Sequence, residues 1–405
     1  MLSVIYRASS FLSLICFLLT ACGLPSGSNN SSSFAVSSSP VLRLDQSSLN
    51  AINPQVAVDE SDRVFVVWQD NSITFTYSTD GGKTFQSPVN IPGSSGGSYP
   101  RITTDGNGNA YVIWQASTQF LLNYSTTNIF QAFPVVITSS VCSSQSSQSP
   151  VPQADIVNTG SVLAITWAQQ SPCSNPSSYE NMLDFQPLSN PATLPAPVNV
   201  FTDSSFAGYP KISNFGANPY LVYLQTSVSD LVLLEYSTTS SPQKSFPVNT
   251  KNSNAAIPLS SSLSVDSIGN SFVAWEASTP QGGGVDIFFN TLPAKSSSFN
   301  LSPHNLTNNG ASKGSAVSID SSQYVYVAFF SRPSATPKTY DVFLERSSNG
   351  GNSFTDPFNV SNTAGTSASY APGLAITGKN AYVVWDDNSF TSGSSQIFFQ
   401  KLTLD

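Results

Sequence analysis

Histidine is almost missing from this chain: His304 is the one histidine in 405 residues. A Ser/His/Asp triad or a histidine metal cluster therefore has almost no material, and His304 sits in a Pro-His-Asn stretch expected on an outer strand. Charge is scarce as well, at 9% of residues, with 15 Lys and Arg, 23 Asp and Glu and a net charge of -8. No basic cluster stands out, so nucleic acid is excluded as a partner, since its binding rests on neutralising phosphates. Long Glu/Lys/Leu-rich helices are missing; Ser, Thr, Asn, Gly and Pro abound and 11% of residues are aromatic, which suits many short strands joined by tight turns. The cysteines lack a close C-x-x-C spacing, and the Gly-rich runs at 282–284 and 106–108 lie between strands rather than before a helix. A redox pair and a phosphate cradle are both unsupported.

The N-terminus carries Arg7, then the apolar run Phe11 to Leu19. That run is too short to span a bilayer and has the order of a secretory signal. The box Leu19-Thr20-Ala21-Cys22-Gly23 resembles the bacterial lipoprotein signal. The resemblance implies that residues 1–21 are removed and that Cys22 carries lipid, placing the protein outside the cytoplasm, anchored to a membrane of the cell envelope or surface. At ~0.8 kcal/mol per buried methylene, several acyl chains anchor durably. Residues 22–39 are Ser-, Gly- and Asn-rich without apolar periodicity, as expected of a flexible tether.

The rest of the chain repeats. VAVDESDRVFVVWQD, ITTDGNGNAYVIWQA, DIVNTGSVLAITWAQ, ISNFGANPYLVYLQT, LSVDSIGNSFVAWEA, VSIDSSQYVYVAFFS and LAITGKNAYVVWDD align almost without gaps. Their anchors are Trp68, Trp114, Trp167, Leu224, Trp275, Phe329 and Trp385, at intervals of 46 to 57 residues, and all 5 tryptophans fall in this register. Each unit predicts a strand, a polar turn, a second strand apolar on both faces, a third strand and an outer strand often opening with Pro-Val-Asn. Four strands in ~50 residues, seven times over, predict an all-β seven-bladed β-propeller of antiparallel blades across residues 40–405. The seventh unit lacks its outer strand, so Ser39 to Leu44 is expected to close the ring.

Ser78-Thr79-Asp80-Gly81-Gly82-Lys83-Thr84-Phe85 fits the pattern Ser-x-Asp-x-Gly-x-x-aromatic, and Ser347 to Phe354 repeats it with Asn349 for Asp. Ser125-Thr126 and Ser237-Thr238 look like decayed copies. On these turns the domain resembles sialidase-like Asp-box (bacterial neuraminidase repeat) propellers. In that family the box is a structural turn, so Asp80 and Asn349 are expected to serve folding.

Alternation of strand direction puts the blade connections and the second-to-third-strand loops on one face, opposite the Asp-boxes. Candidate binding residues there are Tyr99, Arg101, Tyr209, Lys211, Glu276, Arg332, Tyr370, Asp386 and Asp387, where aromatic rings give contact area and polar tips give direction. The sialidase resemblance implies three arginines around a substrate carboxylate, a Tyr-Glu pair and an Asp acid/base. A catalytic version here would use Arg101, Lys211 and Arg332 as anion binders, Tyr370 with Glu276, and Asp70. The arginine set is not met, because Arg43, Arg63 and Arg346 fall elsewhere in the repeat. The expectation is a non-catalytic binder of a glycan or envelope protein, with a divergent sialidase-like glycoside hydrolase as the alternative. No cofactor is expected, although Asp70, Asp386 and Asp387 are of the type that holds Ca²⁺. A monomer is expected. Cys142 and Cys173, in two loops of the third blade on one face, are expected to form a disulfide worth ~2–4 kcal/mol.

Overall fold

The computed structural model describes residues 35–46, 50–138, 154–171, 178–188, 190–191, 197–203, 207–225, 230–236, 242–249, 257–279, 283–299, 302–332, 339–363, 367–388 and 394–404. Cys22, Cys142, Cys173 and the Ser237-Thr238 copy lie outside them. The described residues are all-β, without a helix, and fold as seven antiparallel sheets, the blades of a β-propeller. The anchors explain the ring. All five tryptophans are at most 2% exposed, as is Phe329, and Leu224 is 5% exposed. They sit in apolar clusters that join one blade to the next, such as the one holding Val64, Val66 and Trp68 of the first blade against Tyr382, Val384 and Phe399 of the seventh. Burying one such side chain stabilises by about 2–3 kcal/mol.

The turn between first and second strands is fixed by its aspartate. Asp59 accepts from the amides of Ser61 and Arg63 and from the Arg63 guanidinium, and Asp105, Asp266 and Asp320 take the same two amide positions. A short carboxylate that bonds its own turn explains why this residue type recurs.

Closure follows the sequence expectation, with a longer reach. Leu42 and Arg43 pair with Phe399 and Phe398, while Val36, Ser37 and Ser38 pair with Leu404, Thr403 and Leu402. The closing segment thus begins at Val36, inside the stretch expected to be tether, because Val36 packs on the cluster shared by the sixth and seventh blades. Asp45 locks the junction by accepting from the Ile397 amide at 2.8 Å and from Arg43 at 3.0 Å. Val89–Asn90, Ile129–Phe130, His304–Asn305 and Phe358–Asn359 are outer strands of two residues each, whereas those of the third and fourth blades, Val198–Asp203 and Pro242–Pro247, have six. The two-residue strands leave little free edge for another chain to pair with.

The Ser78 turn joins third and outer strands. Ser78 donates to Asp80 at 2.7 Å, and Asp80 accepts from the amides of Lys83 and Thr84 and the Thr84 hydroxyl. These bonds hold the Asp80 carboxyl well below its ordinary value. Phe85 then packs edge-on against Phe399 of the seventh blade at 4.8 Å, and a Cβ on Gly82 would strike that ring. The Ser347 turn places Phe354 against Phe289 of the fifth blade in the same way, at 4.9 Å. At Ser125-Thr126 the box is replaced by a tight hairpin with Thr127 and Asn128 at positive φ.

Candidate functional site at the channel mouth

One position of the innermost strand faces the central channel in every blade. It lies 12 or 13 residues before each anchor and holds Gln55, Arg101, Asp155, Lys211, Ser262, Ala316 and Gly373. All seven line a single cavity of about 850 Å³. In five blades a bulge precedes this position: the register shifts between Ile52 and Gln55, Ser98 and Arg101, Gly208 and Lys211, Lys313 and Ala316, and Tyr370 and Gly373. The extra residue, two before the channel position, is in the left-handed region: Asn53, Tyr99, Tyr209, Gly314 and Ala371 have φ between 47° and 65°. Four of these are not glycine, so each holds an unfavourable conformation that the surrounding sheet must impose. The bulges also aim Asn53, Tyr99 and Tyr209 into the cavity.

Charge in the cavity is arranged by blade. Arg101 of the second blade stands 3.8 Å from Asp155 of the third, and both side chains are about 15% exposed, at 16% and 15%. Asp155 also accepts from the Ile212 amide of the fourth blade at 3.0 Å. Lys211, one residue earlier in that strand, is pushed down to about 7 by burial and by the Arg101 charge, with Asp155 opposing. In the adjoining fifth blade Glu276 accepts from the Ser260 hydroxyl at 2.6 Å and the Gly314 amide at 3.4 Å. Burial and then the Glu276 charge raise the Tyr209 phenol, and Tyr99 adds to the shift. With Lys313 at the rim, three cations and two carboxylates line the cavity, in a chain of net charge -8.

Five of the residues expected from sequence meet here: Tyr99, Arg101, Tyr209, Lys211 and Glu276. The others do not line it. Tyr370 precedes the bulge position, which Ala371 occupies, so its ring packs on Phe330 at 5.4 Å and Tyr340 at 5.6 Å. Arg332 lies over the Tyr340 ring at 5.3 Å. Asp386 and Asp387 are 5% and 1% exposed. Burial, with the Asp387 charge, raises Asp386 to about 7 against a bond from the Asn53 amide, while Asp387 accepts from Ser367 and Ser369. Asp70 lines a separate cavity. Glu276 therefore neighbours Tyr209, not Tyr370. Among the described residues no group of three or more His, Cys, Asp or Glu is placed to hold a metal ion.

Sequence reasoning missed Asp155, Gln55, Asn53 and Ser260. Counting back from the anchor finds the first two, and Asn53-Pro54 shares the residue-proline pattern of Tyr99-Pro100 and Tyr209-Pro210.

The sequence matches no family model and no curated protein. Among solved structures it is similar to the polysaccharide lyase Uly1, with a TM-score of 0.55 and 8% identity, over 90% of this chain and 100% of that one. It is also similar to the phage phi92 endosialidase, with a TM-score of 0.52 and 8% identity over 92% of this chain and 70% of that one. The Penicillium chrysogenum alpha-L-arabinanase complexed with arabinobiose gives a TM-score of 0.50 and 12% identity, over 76% of this chain and 93% of that one. At these identities the likeness establishes a sialidase-like β-propeller fold and no more.

Proposed function

We propose that this protein is a non-catalytic propeller, held at the cell envelope by lipid on Cys22, that binds an acidic glycan in its channel mouth. The observation that carries this reading is the placement of Arg101 and Lys211 around a single carboxylate, Asp155. Two cations share one anion inside a cavity, so a carboxylate on a sugar has a guanidinium fork and an ammonium to meet. Tyr99 and Tyr209 offer ring faces and hydroxyls beside it. The Ser78 and Ser347 turns support an Asp-box ancestry, and the solved neighbours named for a lyase, an endosialidase and an arabinanase support a glycan as ligand.

A hydrolase is the rival, favoured by the proximity of Tyr209 to Glu276. Against it, burial and the Glu276 charge disfavour the Tyr209 phenolate, Arg101 is the one arginine among the described residues that line the cavity, and Asp70 lines another cavity. Calorimetry with sialyllactose and with a glucuronate-terminated disaccharide tests the proposal. Binding by at least one, weakened at least about tenfold in Arg101→Gln, is the expected result. Release of shortened or unsaturated saccharide that disappears in Tyr209→Phe would replace binding with catalysis.

A further inference from the structure

In three blades the residue after the anchor does one structural job. Gln69 accepts from the Tyr99 amide at 3.2 Å, Glu276 from the Gly314 amide at 3.4 Å, and Asp386 from the Asn53 amide. Tyr99, Gly314 and Asn53 are the left-handed bulge residues of the blades that follow. A side-chain oxygen thus caps an amide that the bulge takes out of the strand ladder. Gln69 shows that a neutral oxygen is enough. The charge of Glu276 is surplus to the fold.

The two carboxylates at this position stand in different surroundings. Asp386 is 5% exposed, and burial raises it to about 7. Glu276 is only partly buried and lines the channel cavity. None of the ion pairs among the described residues includes it, although Lys313, exposed beside Gly314, lines the same cavity. Its two neutral donors, the Ser260 hydroxyl and the Gly314 amide, leave about half of a carboxylate's roughly four acceptor sites open.

The cations of the cavity wall answer to another anion. The charges acting on Lys211 are those of Arg101 and Asp155, and the one acting on Arg101 is that of Asp155; Glu276 is in neither set. One cavity therefore holds two poles: a pair of cations around Asp155, and a carboxylate that has no cation.

We propose that the mouth selects a zwitterionic saccharide, an acidic sugar that also carries a free amine, with its carboxylate on Arg101 and Lys211 and its ammonium on Glu276. The inference rests on the acidic-glycan reading and adds the second pole to it. An ammonium brings three donors and a charge to the open acceptor sites, whereas an acetylated amine brings one neutral N–H.

Calorimetry on the full chain at pH 6, where Lys211 holds its proton, tests the second pole with two matched pairs. These are sialyllactose and its N-deacetylated form, and glucuronosyl-N-acetylglucosamine and its N-deacetylated form. Within each pair the carboxylate is constant. The free amine is expected to bind at least about tenfold more tightly in at least one pair. Glu276→Gln retains an oxygen for the Gly314 amide, as Gln69 does for Tyr99, so its melting temperature should match that of the parent. In this variant the preference for the amine should collapse toward one, while Arg101→Gln should weaken both members of the pair and keep their ratio. Equal affinities within both pairs overturn the proposal, as does a preference that survives Glu276→Gln or an equal loss of both members in that variant. Acetylated sugars that bind without any preference for the amine would leave the acidic-glycan reading standing; failure of all four saccharides to bind would remove both.

Discussion

On the turn face Asp80 finds every partner within four residues, in Ser78, Lys83 and Thr84. On the mouth face the polar groups look across blades: Arg101 to Asp155, Asp155 to Ile212, Glu276 to Gly314. The turns are satisfied by their own sequence and need the ring only for the aromatic that follows. The mouth exists only when neighbouring blades are in register. Its strained bulges at Tyr99, Tyr209 and Ala371 have the same dependence, since nothing in these residue types favours the left-handed region.

Opening the ring breaks this comparison hardest. Removing residues 36–45 takes away the pairing with Gln396–Leu404 and the Asp45 lock on Ile397, and exposes Phe399 and Ile397. A fall in melting temperature of about 10 °C or more is expected, with loss of saccharide binding. Removing residues 24–34 should change neither. Equal melting of the two truncations, followed by circular dichroism, would refute closure by this segment.

Midway between the faces, the third strand opposite the residue two before each anchor is polar in most blades. Thr76, Asn123, Asn290 and Gln400 hold it, and each donates to a backbone carbonyl. In the sixth blade it is Glu345, 4% exposed, which burial and the Asp356 charge raise to about 8 from 4.5. The folded state therefore binds the proton more tightly than the unfolded chain, and stability falls as pH rises from 4.5 through about 8. Glu345→Gln keeps a neutral donor at every pH. Its melting temperature should exceed that of the parent above pH 8 and lose most of the parent's decline; parallel curves would show that Glu345 is not buried as an acid.

The same contrast governs what was legible in the sequence. Anchors and turns are local signals, so seven tryptophan-like positions and the Asp80 turn located the blades directly. Arg101 and Lys211 were found because Tyr-Pro marks their bulges. Asp155 has the same place in its blade without that dipeptide. Tyr370 misled for a related reason: the proline comes two residues later, so Ala371 takes the bulge and the tyrosine is displaced by one position to Phe330 and Tyr340. A shift of one residue in a strand sends a side chain to the other face.

Lys211 sharpens the mouth side of the comparison, because its ammonium is weakened by the ring that positions it. Held down to about 7 by burial and Arg101, it should lose charge between pH 6 and 8. Acidic-saccharide binding is then expected to weaken by up to about tenfold over that span. Lys211→Met should bind more weakly at pH 6 and show a flatter profile, with Arg101 carrying what remains. A profile unchanged by the substitution would remove Lys211 from the binding surface.

The smallest effect belongs to the turns, where two versions of one motif can be exchanged. Asn349 accepts from Ser347 and the Ser353 amide through Oδ1 but donates through Nδ2 to the Ser353 hydroxyl at 2.8 Å. At Asp80 the equivalent hydroxyl, Thr84, donates instead. A hydroxyl can turn its proton either way, so Asn349→Asp should keep the turn and gain charge-assisted bonds, raising stability at neutral pH by less than about 1 kcal/mol because the site is exposed and screened. Asp80→Asn should lose a similar amount. The sign with pH follows from the lowered Asp80 carboxyl: its contribution is present above the ordinary value of 3.8 and fades as pH falls below it. Denaturant melts at pH 7 and pH 3 should therefore separate the Asp and Asn versions at the first pH and bring them together toward the second, while saccharide binding at the mouth stays unchanged in both. A binding defect in either turn variant would mean that the two faces are coupled through the blade after all.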